Sequence, residues 1–315
     1  MRNLSILMLG GAKRVSLAQK LIDAGKVRGI DVSIFSHELE REVPIASVGK
    51  VIPGSKYSND GILNEMRDII KSFHIDVVLP FVDNSIEVAR VCAERYGVFS
   101  PTSSVGVTSQ LFDKVKSAVL FAENNIPIPQ TYQSVDTVQF PAIFKPRCGS
   151  ASKGIKVVNT QHEAEQISNP EEYLMQEYIT DREEYTLDCY ISMIDGEIKC
   201  IVPRLRIATV GGEVIKTRTC RVPVLISLGA TVIKSLGLQG CVTLQFLYDR
   251  QNKEYKLMEI NPRLGGGVVC SVNAGANIAD MIVCEATGIA AQKNNVWRDG
   301  ALMTRYMQEV MFFND

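Results

Sequence analysis

Short apolar runs alternate with amphipathic stretches through the first third of the chain. Residues 4–9, 32–35 and 77–81 are rich in aliphatic side chains and read as strands, whereas 15–24, 61–72 and 85–96 repeat apolar positions at helical spacing. Strands separated by helices imply a parallel sheet with right-handed crossovers. Ligands of such sheets gather at the carboxyl ends of the strands, where Gly10, Gly11, Asp83 and Asn84 fall.

A helix is expected over residues 109–125, carrying Asp113, Lys114 and Lys116, before the stiff break Ile126-Pro127-Ile128-Pro129 marks a lobe boundary. Beyond it the period changes. Residues 142–145 and 155–158 read as two strands around a glycine-rich turn, and 185–193, 197–203, 241–248 and 255–260 as antiparallel strands.

The 315 residues exceed one average domain, so two or three lobes with their own cores are expected. Hydrophobic residues at 46% and charged residues at 22% argue against disorder, a fibrous repeat or a coiled coil. With 34 basic and 35 acidic residues there is no global field for nucleic acid or an anionic membrane, and any anion site must be local. The apolar run at the amino terminus is too short for a signal peptide or spanning helix, so a cytoplasmic protein is expected. The eight cysteines form no CxxC pair, which disfavours structural zinc; most are expected to be small buried hydrophobes, with Cys148 the exception. His37, His74 and His162 are too scattered for a catalytic or zinc arrangement.

The turn Gly10-Gly11-Ala12-Lys13-Arg14 leads into a helix, whose amino terminus attracts anions, but the full GxGxxG of a nicotinamide site is missing, as is any P-loop. The stronger signal lies late in the chain. If residues 244–248 and 255–260 form a hairpin, Gln245 on one strand and Glu259 with Asn261 on the other converge one carboxylate and two amide oxygens. That is hard oxygen chemistry of the kind magnesium uses beside nucleotide phosphates, and Arg263 follows to grip a phosphoryl or carboxylate oxygen. The plain alternative is a surface Glu–Arg pair at a strand end.

Lys114, Lys145 and the loop Arg147 to Gly154 supply lysine charge and small residues whose backbone amides can approach phosphates, unless the loop is only a hairpin turn. Gln176-Glu177-Tyr178-Ile179 can pair with an adenine edge, and Glu183 or Glu184 can accept ribose hydroxyls, unless both are exposed acidic loops. Arg204, Arg206, Lys216, Arg218 and Arg221 form a basic segment broken by Gly211-Gly212, readable as a solvated face or, at Arg204 and Arg206, as a clamp for phosphate and carboxylate.

Taken in order, these segments resemble the ATP-grasp superfamily, in particular the ATP-binding half of the carbamoyl phosphate synthetase large chain and related carboxylate–amine ligases. The resemblance is carried by Met258-Glu259-Ile260-Asn261-Pro262-Arg263 with Gln245 before it and Glu285-Ala286-Thr287-Gly288 after it, by Phe112-Asp113-Lys114, and by Phe144-Lys145-Pro146 with its glycine loop. It implies an α/β and α+β chain: a Rossmann-like pre-ATP-grasp domain over 1–108, then a two-lobed ATP-grasp fold over 109–315, with a small lobe about 126–180 and a large lobe about 181–315. Lys114, Lys145, Gly149, Ser150, Ser152 and Gly154 would bind phosphates, Glu177, Tyr178 and Ile179 would line adenine, and Glu184 would take the ribose. Gln245, Glu259 and Asn261 would hold two Mg2+ ions, for which Mn2+ can substitute, and Arg263, Lys145 and Arg206 would act on the transferred phosphoryl group.

By the same resemblance, the expected activity joins a carboxylate, activated by Mg-ATP as an acyl phosphate, to an amine. Its partners are then small-molecule carboxylate and amine substrates, with no nucleic acid and no membrane, and a homodimer is open by analogy. The competing readings are a carbamoyl-phosphate-synthase-like subunit acting on bicarbonate or carbamate with a partner, and an ATP-binding module without turnover; a nicotinamide oxidoreductase stands further off. One ATP-binding unit, with neither a second synthetase half nor a biotin-carboxylase-type downstream domain, sets the expectation that neither complete carbamoyl phosphate synthesis nor biotin carboxylation is its reaction alone. Specificity is expected at Lys13, Arg14, Asp83, Arg204, Arg206 and residues 264–273.

Overall fold

A computed structural model describes residues 2–149 and 153–313. The first sheet comprises β1 (Arg2–Leu9), β2 (Ile30–Glu38), β3 (Lys50–Pro53) and β4 (Val77–Pro80), all parallel in the order β3-β2-β1-β4. Side chains alternate across it. Leu4, Ile6 and Met8 pack beneath α1 (Val15–Val27), while Leu7 and Leu9 pack against α2 (Ile62–Phe73) and α3 (Ile86–Tyr96).

The expected helix over 109–125 is instead two. Asp113 is extended and ends α4 (Val105–Phe112), and its carboxylate accepts the amides of Val115 and Lys116 to cap α5 (Lys114–Glu123). The same carboxylate receives Arg147 at 2.5 Å, so the break ties the helix pair to the glycine loop.

The second sheet, β5 (Thr131–Tyr132), β6 (Ala142–Pro146), β7 (Lys156–Val158) and β8 (Tyr173–Glu177), is antiparallel in the order β5-β8-β6-β7. Ala142, Phe144 and Met175 form its core with Ala164 of the short helix α6 (Gln161–Glu165). Ile143 and Lys145 point to the opposite face and line the cleft.

The third sheet is antiparallel: β9 (Arg182–Ile191), β10 (Ile198–Val210), β11 (Glu213–Thr219), β12 (Gly240–Asp249), β13 (Glu254–Asn261) and β14 (Leu302–Thr304), in the order β13-β12-β9-β10-β11-β14. One face packs on α7 (Pro223–Ser235), α4 and α5 through Leu187, Ile201, Leu244 and Phe246. The other face changes character along its length. Tyr190, Val202 and Cys241 join the core shared with the first sheet, beneath α8 (Val268–Ser271) and α9 (Ile278–Ala286). Asp188 and Arg204 come next as a buried pair, and Thr186, Glu184, Gln245 and Arg206 then form an open polar floor. Among the described residues, no single helix is long and apolar enough to cross a membrane. Six cysteines are buried as expected, Cys220 is partly covered, and Cys148 is exposed at the cleft.

Candidate active site

A cavity of about 570 Å3 opens between the second and third sheets and is closed at one end by the loops after β1 and β4. Eight cationic side chains and five carboxylates line it among the described residues, so in a chain of net charge -1 the cleft is locally positive. Such a space favours polyanions. A second cavity of about 580 Å3 runs along the free edge of β13 toward Glu38 and Tyr57 and shares Lys114, Glu259 and Asn261 with the first.

Strand pairing brings Gln245 directly opposite Glu259, and Thr243 opposite Asn261. The register then shifts, because Phe246 faces Leu257 and leaves Met258 as the extra residue of a β-bulge. With uninterrupted alternation Leu257, Glu259 and Asn261 would share one face. The bulge lets Leu257 enter the core while Glu259 and Asn261 line the cleft.

The oxygens of this group are matched by donors. Asn261 donates Nδ2 to Glu259 Oε1 at 2.6 Å, Arg206 donates Nη1 to Gln245 Oε1 at 2.6 Å, and Arg263 donates Nη2 to Asn261 Oδ1 at 3.3 Å. Arg263 also pairs with Asp83 at 2.7 Å, from the loop after β4, and not with Glu259 as a surface strand-end pair would. Among the described residues no three His, Cys, Asp or Glu side chains cluster as a stand-alone metal site. The donor set of one carboxylate and two amides suits a cation that takes its remaining ligands from phosphates.

Lys145 is 7% exposed and donates to Gln176 Oε1 at 3.0 Å. Burial lowers its pKa to about 8; Glu259 and Glu184 oppose that fall, and Lys114 and Arg182 add to it. Lys114 lies at the cleft and donates Nζ to the carbonyl of Gly149 at 2.8 Å. Gly149 and Gly154 both have positive φ, 125° and 73°, backbone that glycine adopts without strain. The expected phosphate contacts Ser150 and Ser152 lie outside the described residues.

Arg204 does not form the expected clamp. Its Nε and Nη2 donate to Asp188 at 2.6 and 3.0 Å and its Nη1 to Thr217, all within a fully buried pair that Ser271 also joins. Arg206 is the clamp candidate that remains: its buried Nε makes no hydrogen bond among the described residues and stands 3.7 Å from the Glu184 carboxylate.

Strand alternation separates Glu183 from Glu184. Glu184, with Arg182 and Thr186, lines the cleft, whereas Glu183 turns away to Arg250 at 2.9 Å and Tyr185 at 2.7 Å. Glu177, Tyr178 and Ile179 line the cleft as well. The amides of Glu177 and Tyr178 already donate to Gln130 and Pro141, and the Glu177 carboxylate receives Lys256 at 2.6 Å. Sequence reasoning missed Arg182, whose guanidinium lies 4.7 Å from the Tyr178 ring centroid and donates to the Ile179 carbonyl, and also Glu213 and Arg305 near Arg14. Arg182 opens a strand and could have been read as cleft-facing from its parity with Glu184.

Three sheets around a positive cleft, with this hairpin as its floor, make the ATP-grasp fold, and the chain is similar in sequence and in structure to proteins of the ATP-grasp superfamily. Residues 169–309 match the family described as ATP-grasp in the biosynthetic pathway with Ter operon. Carbamoyl-phosphate synthase of Methanobrevibacter smithii is 22% identical over 265 residues, covering 74% of this chain and 69% of that protein. Biotin carboxylase 1 of Bacillus subtilis is 24% identical over 292 residues, covering 80% and 64%. The match therefore spans about two thirds of each relative. The biotin carboxylase domain of Hydrogenobacter thermophilus 2-oxoglutarate carboxylase, solved as a dimer with MgADP, ADP and bicarbonate, superposes with a TM-score of 0.72 at 15% identity, over 95% of this chain and 73% of that one. The parallel first sheet and antiparallel lobes are those expected from sequence.

Proposed function

We propose that the chain is a Mg-ATP-dependent carboxylate–amine ligase. The observation that carries this reading is the pairing of Gln245 with Glu259 across β12 and β13, which groups them with Asn261, Lys145 and Arg263 in one positive cleft. Glu177 to Ile179 would line adenine, Glu184 would take the ribose, and Lys145, Lys114, Gly149 and Gly154 would hold the phosphates, with Ser150 and Ser152 assigned to them from sequence alone. Gln245, Glu259 and Asn261 would hold two Mg2+ ions, or Mn2+ in their place. When bound, these ions neutralise charge on the phosphate oxygens.

A substrate carboxylate oxygen attacks the γ-phosphorus, forming a C–O–P link as the bond to the β-phosphate oxygen breaks and ADP departs. Lys145, Arg206 and Arg263 would meet the charge that spreads over the transferred group, and catalysis is chiefly positioning and electrostatics. The amine nitrogen then attacks the acyl carbon, the C–N bond forms, phosphate leaves and the nitrogen loses a proton. Exclusion of water from the occupied cleft would protect the acyl phosphate from hydrolysis.

A second reading is favoured by the relatives themselves: a carbamoyl-phosphate synthase, a biotin carboxylase and a structure with bound bicarbonate support bicarbonate as the carboxylate. The dimer of the last also supports testing for a homodimer. The deciding experiment is ADP and phosphate release from Mg-ATP across amino acids, dipeptides and bicarbonate, each with amine donors. Stimulation by one pair, lost in Glu259→Gln, supports the ligase; stimulation by bicarbonate alone supports the second reading. Nucleotide binding with no turnover under any pairing refutes both in favour of a binding module.

A further inference from the structure

A second concentration of guanidinium groups stands at the wall of the cleft, where Arg14 and Glu213 line it and Arg305 packs against them. Arg14, which precedes α1, donates Nη2 to Glu213 Oε1 at 3.1 Å, while its Nη1 is buried with no hydrogen-bond partner among the described residues. Arg305, just after β14, donates Nη1 to Glu213 Oε2 at 3.4 Å and Nη2 to the Gly266 carbonyl. The glycine run 265–267 makes this approach feasible: a Cβ on Gly266 would stand 3.0 Å from Arg14 Nη1.

Three chain segments far apart in sequence thus focus two guanidinium groups on one carboxylate, and Lys13 adds to the same field. The balance is incomplete. Glu213 is the most exposed member, with 43% of its side chain accessible against 16% for Arg14 and 29% for Arg305. Burial raises the Glu213 pKa, but Arg14 and Arg305 outweigh it and hold the carboxyl below its usual range, so at neutral pH it is an anion. A half-exposed carboxylate between two better-buried cations, one with a donor to spare, is an internal stand-in that an external oxyanion can replace.

The geometry points to Arg14 and Arg305 as the receivers of an anionic group on the substrate, a carboxylate or phosphate remote from the reacting atoms, which displaces Glu213. Resting on the ligase reading, this assigns the substrate class: one partner in the condensation carries an additional oxyanion. Arg14 follows the carboxyl end of β1, on the wall where parallel sheets bind ligands, and it lines the same cleft as Glu213, Glu259 and Arg263.

The test is calorimetric titration with glutarate in one arm and inorganic phosphate in the other, with and without saturating MgADP, on wild type, Arg14→Ala and Glu213→Gln. The expected result is that one of the two probes binds, that Arg14→Ala weakens it by about tenfold or more, and that Glu213→Gln tightens it by removing the internal competitor. The arm that responds tells carboxylate from phosphate. Should Arg14→Ala bind the probe as wild type does, should Glu213→Gln weaken it, or should neither probe bind wild type, the assignment is overturned. Glu213→Gln keeps the size of a half-exposed side chain, so this variant remains readable if Arg14→Ala fails to fold. MgADP titration of wild type reads the nucleotide cleft separately: its absence refutes the ligase reading, while the glutarate and phosphate arms run without nucleotide still decide the fate of Arg14.

Discussion

Gln245 and Glu259 face one another across β12 and β13, and the bulge at Met258 begins immediately beyond them. The bulge is what separates chemistry from core on this strand: Leu257 is 1% exposed, Ile260 is 4% exposed, and Glu259 and Asn261 face the cleft.

The first prediction follows from that placement. Glu259→Gln keeps the size of the side chain and removes the sole carboxylate of the group, so Mg-ATP turnover should fall at least about 100-fold. The side chain is only half-buried and glutamine fills the same volume, so cooperative thermal unfolding should persist. Full turnover in a folded variant would remove Glu259 from the cation site.

The two adjacent glutamates offer an internal control. Glu184 lines the cleft and Glu183 is held away by Arg250 and Tyr185, so only the former should touch nucleotide. Glu184→Ala should weaken MgADP binding by roughly 10- to 100-fold, the size of charge-assisted hydrogen bonds to hydroxyls, and Glu183→Ala should change it less than about twofold. Equal losses measured by calorimetry would show that strand alternation does not select the ribose partner.

Local pattern carried much of this architecture. The alternation of apolar strands with helical periods marked the parallel sheet, and the order of Lys114, Lys145, Glu184 and the segment 258–263 marked the cleft. What escaped reading was set by partners distant in sequence. Arg204 looked like its neighbour Arg206, yet Asp188, Thr217 and Ser271 enclose it, and nothing local distinguishes the two. Arg305 and Glu213 gain meaning only through Arg14, across 199 positions in one case. The bulge did leave a trace, because apolar positions change parity between Leu257 and Ile260. The division at Asp113 was visible too, since aspartate is favoured at helix amino termini.

The buried pair of Arg204 and Asp188 gives a prediction for stability. Both are 1% exposed, and removing either partner strands a charge where water cannot reach it. Arg204→Met or Asp188→Asn should each cost about 3–5 kcal/mol in urea unfolding. The double replacement by apolar residues should cost less than either single change, because no unpaired charge remains. If Arg204 instead served substrate directly, Arg204→Lys would impair binding while leaving stability near wild type.

Lys145 connects the cleft to pH. Its pKa is lowered to about 8 chiefly by burial, so in the free protein it is an ammonium below that pH and loses its charge above it. Phosphate binding favours the charged form and raises the pKa in the complex. By linkage, nucleotide affinity should be nearly flat below about pH 7 and should fall as pH rises through 8, with a limiting slope of about tenfold per unit above it. Binding near pH 8 should take up a fraction of a proton, read as a dependence of the observed enthalpy on the ionisation heat of the buffer. Lys145→Arg should bind with a flat profile over the same range, since guanidinium does not titrate there. Proton release on binding, or a wild-type profile as flat as that of the arginine variant, would exclude Lys145 from phosphate contact and leave Lys114 to carry it.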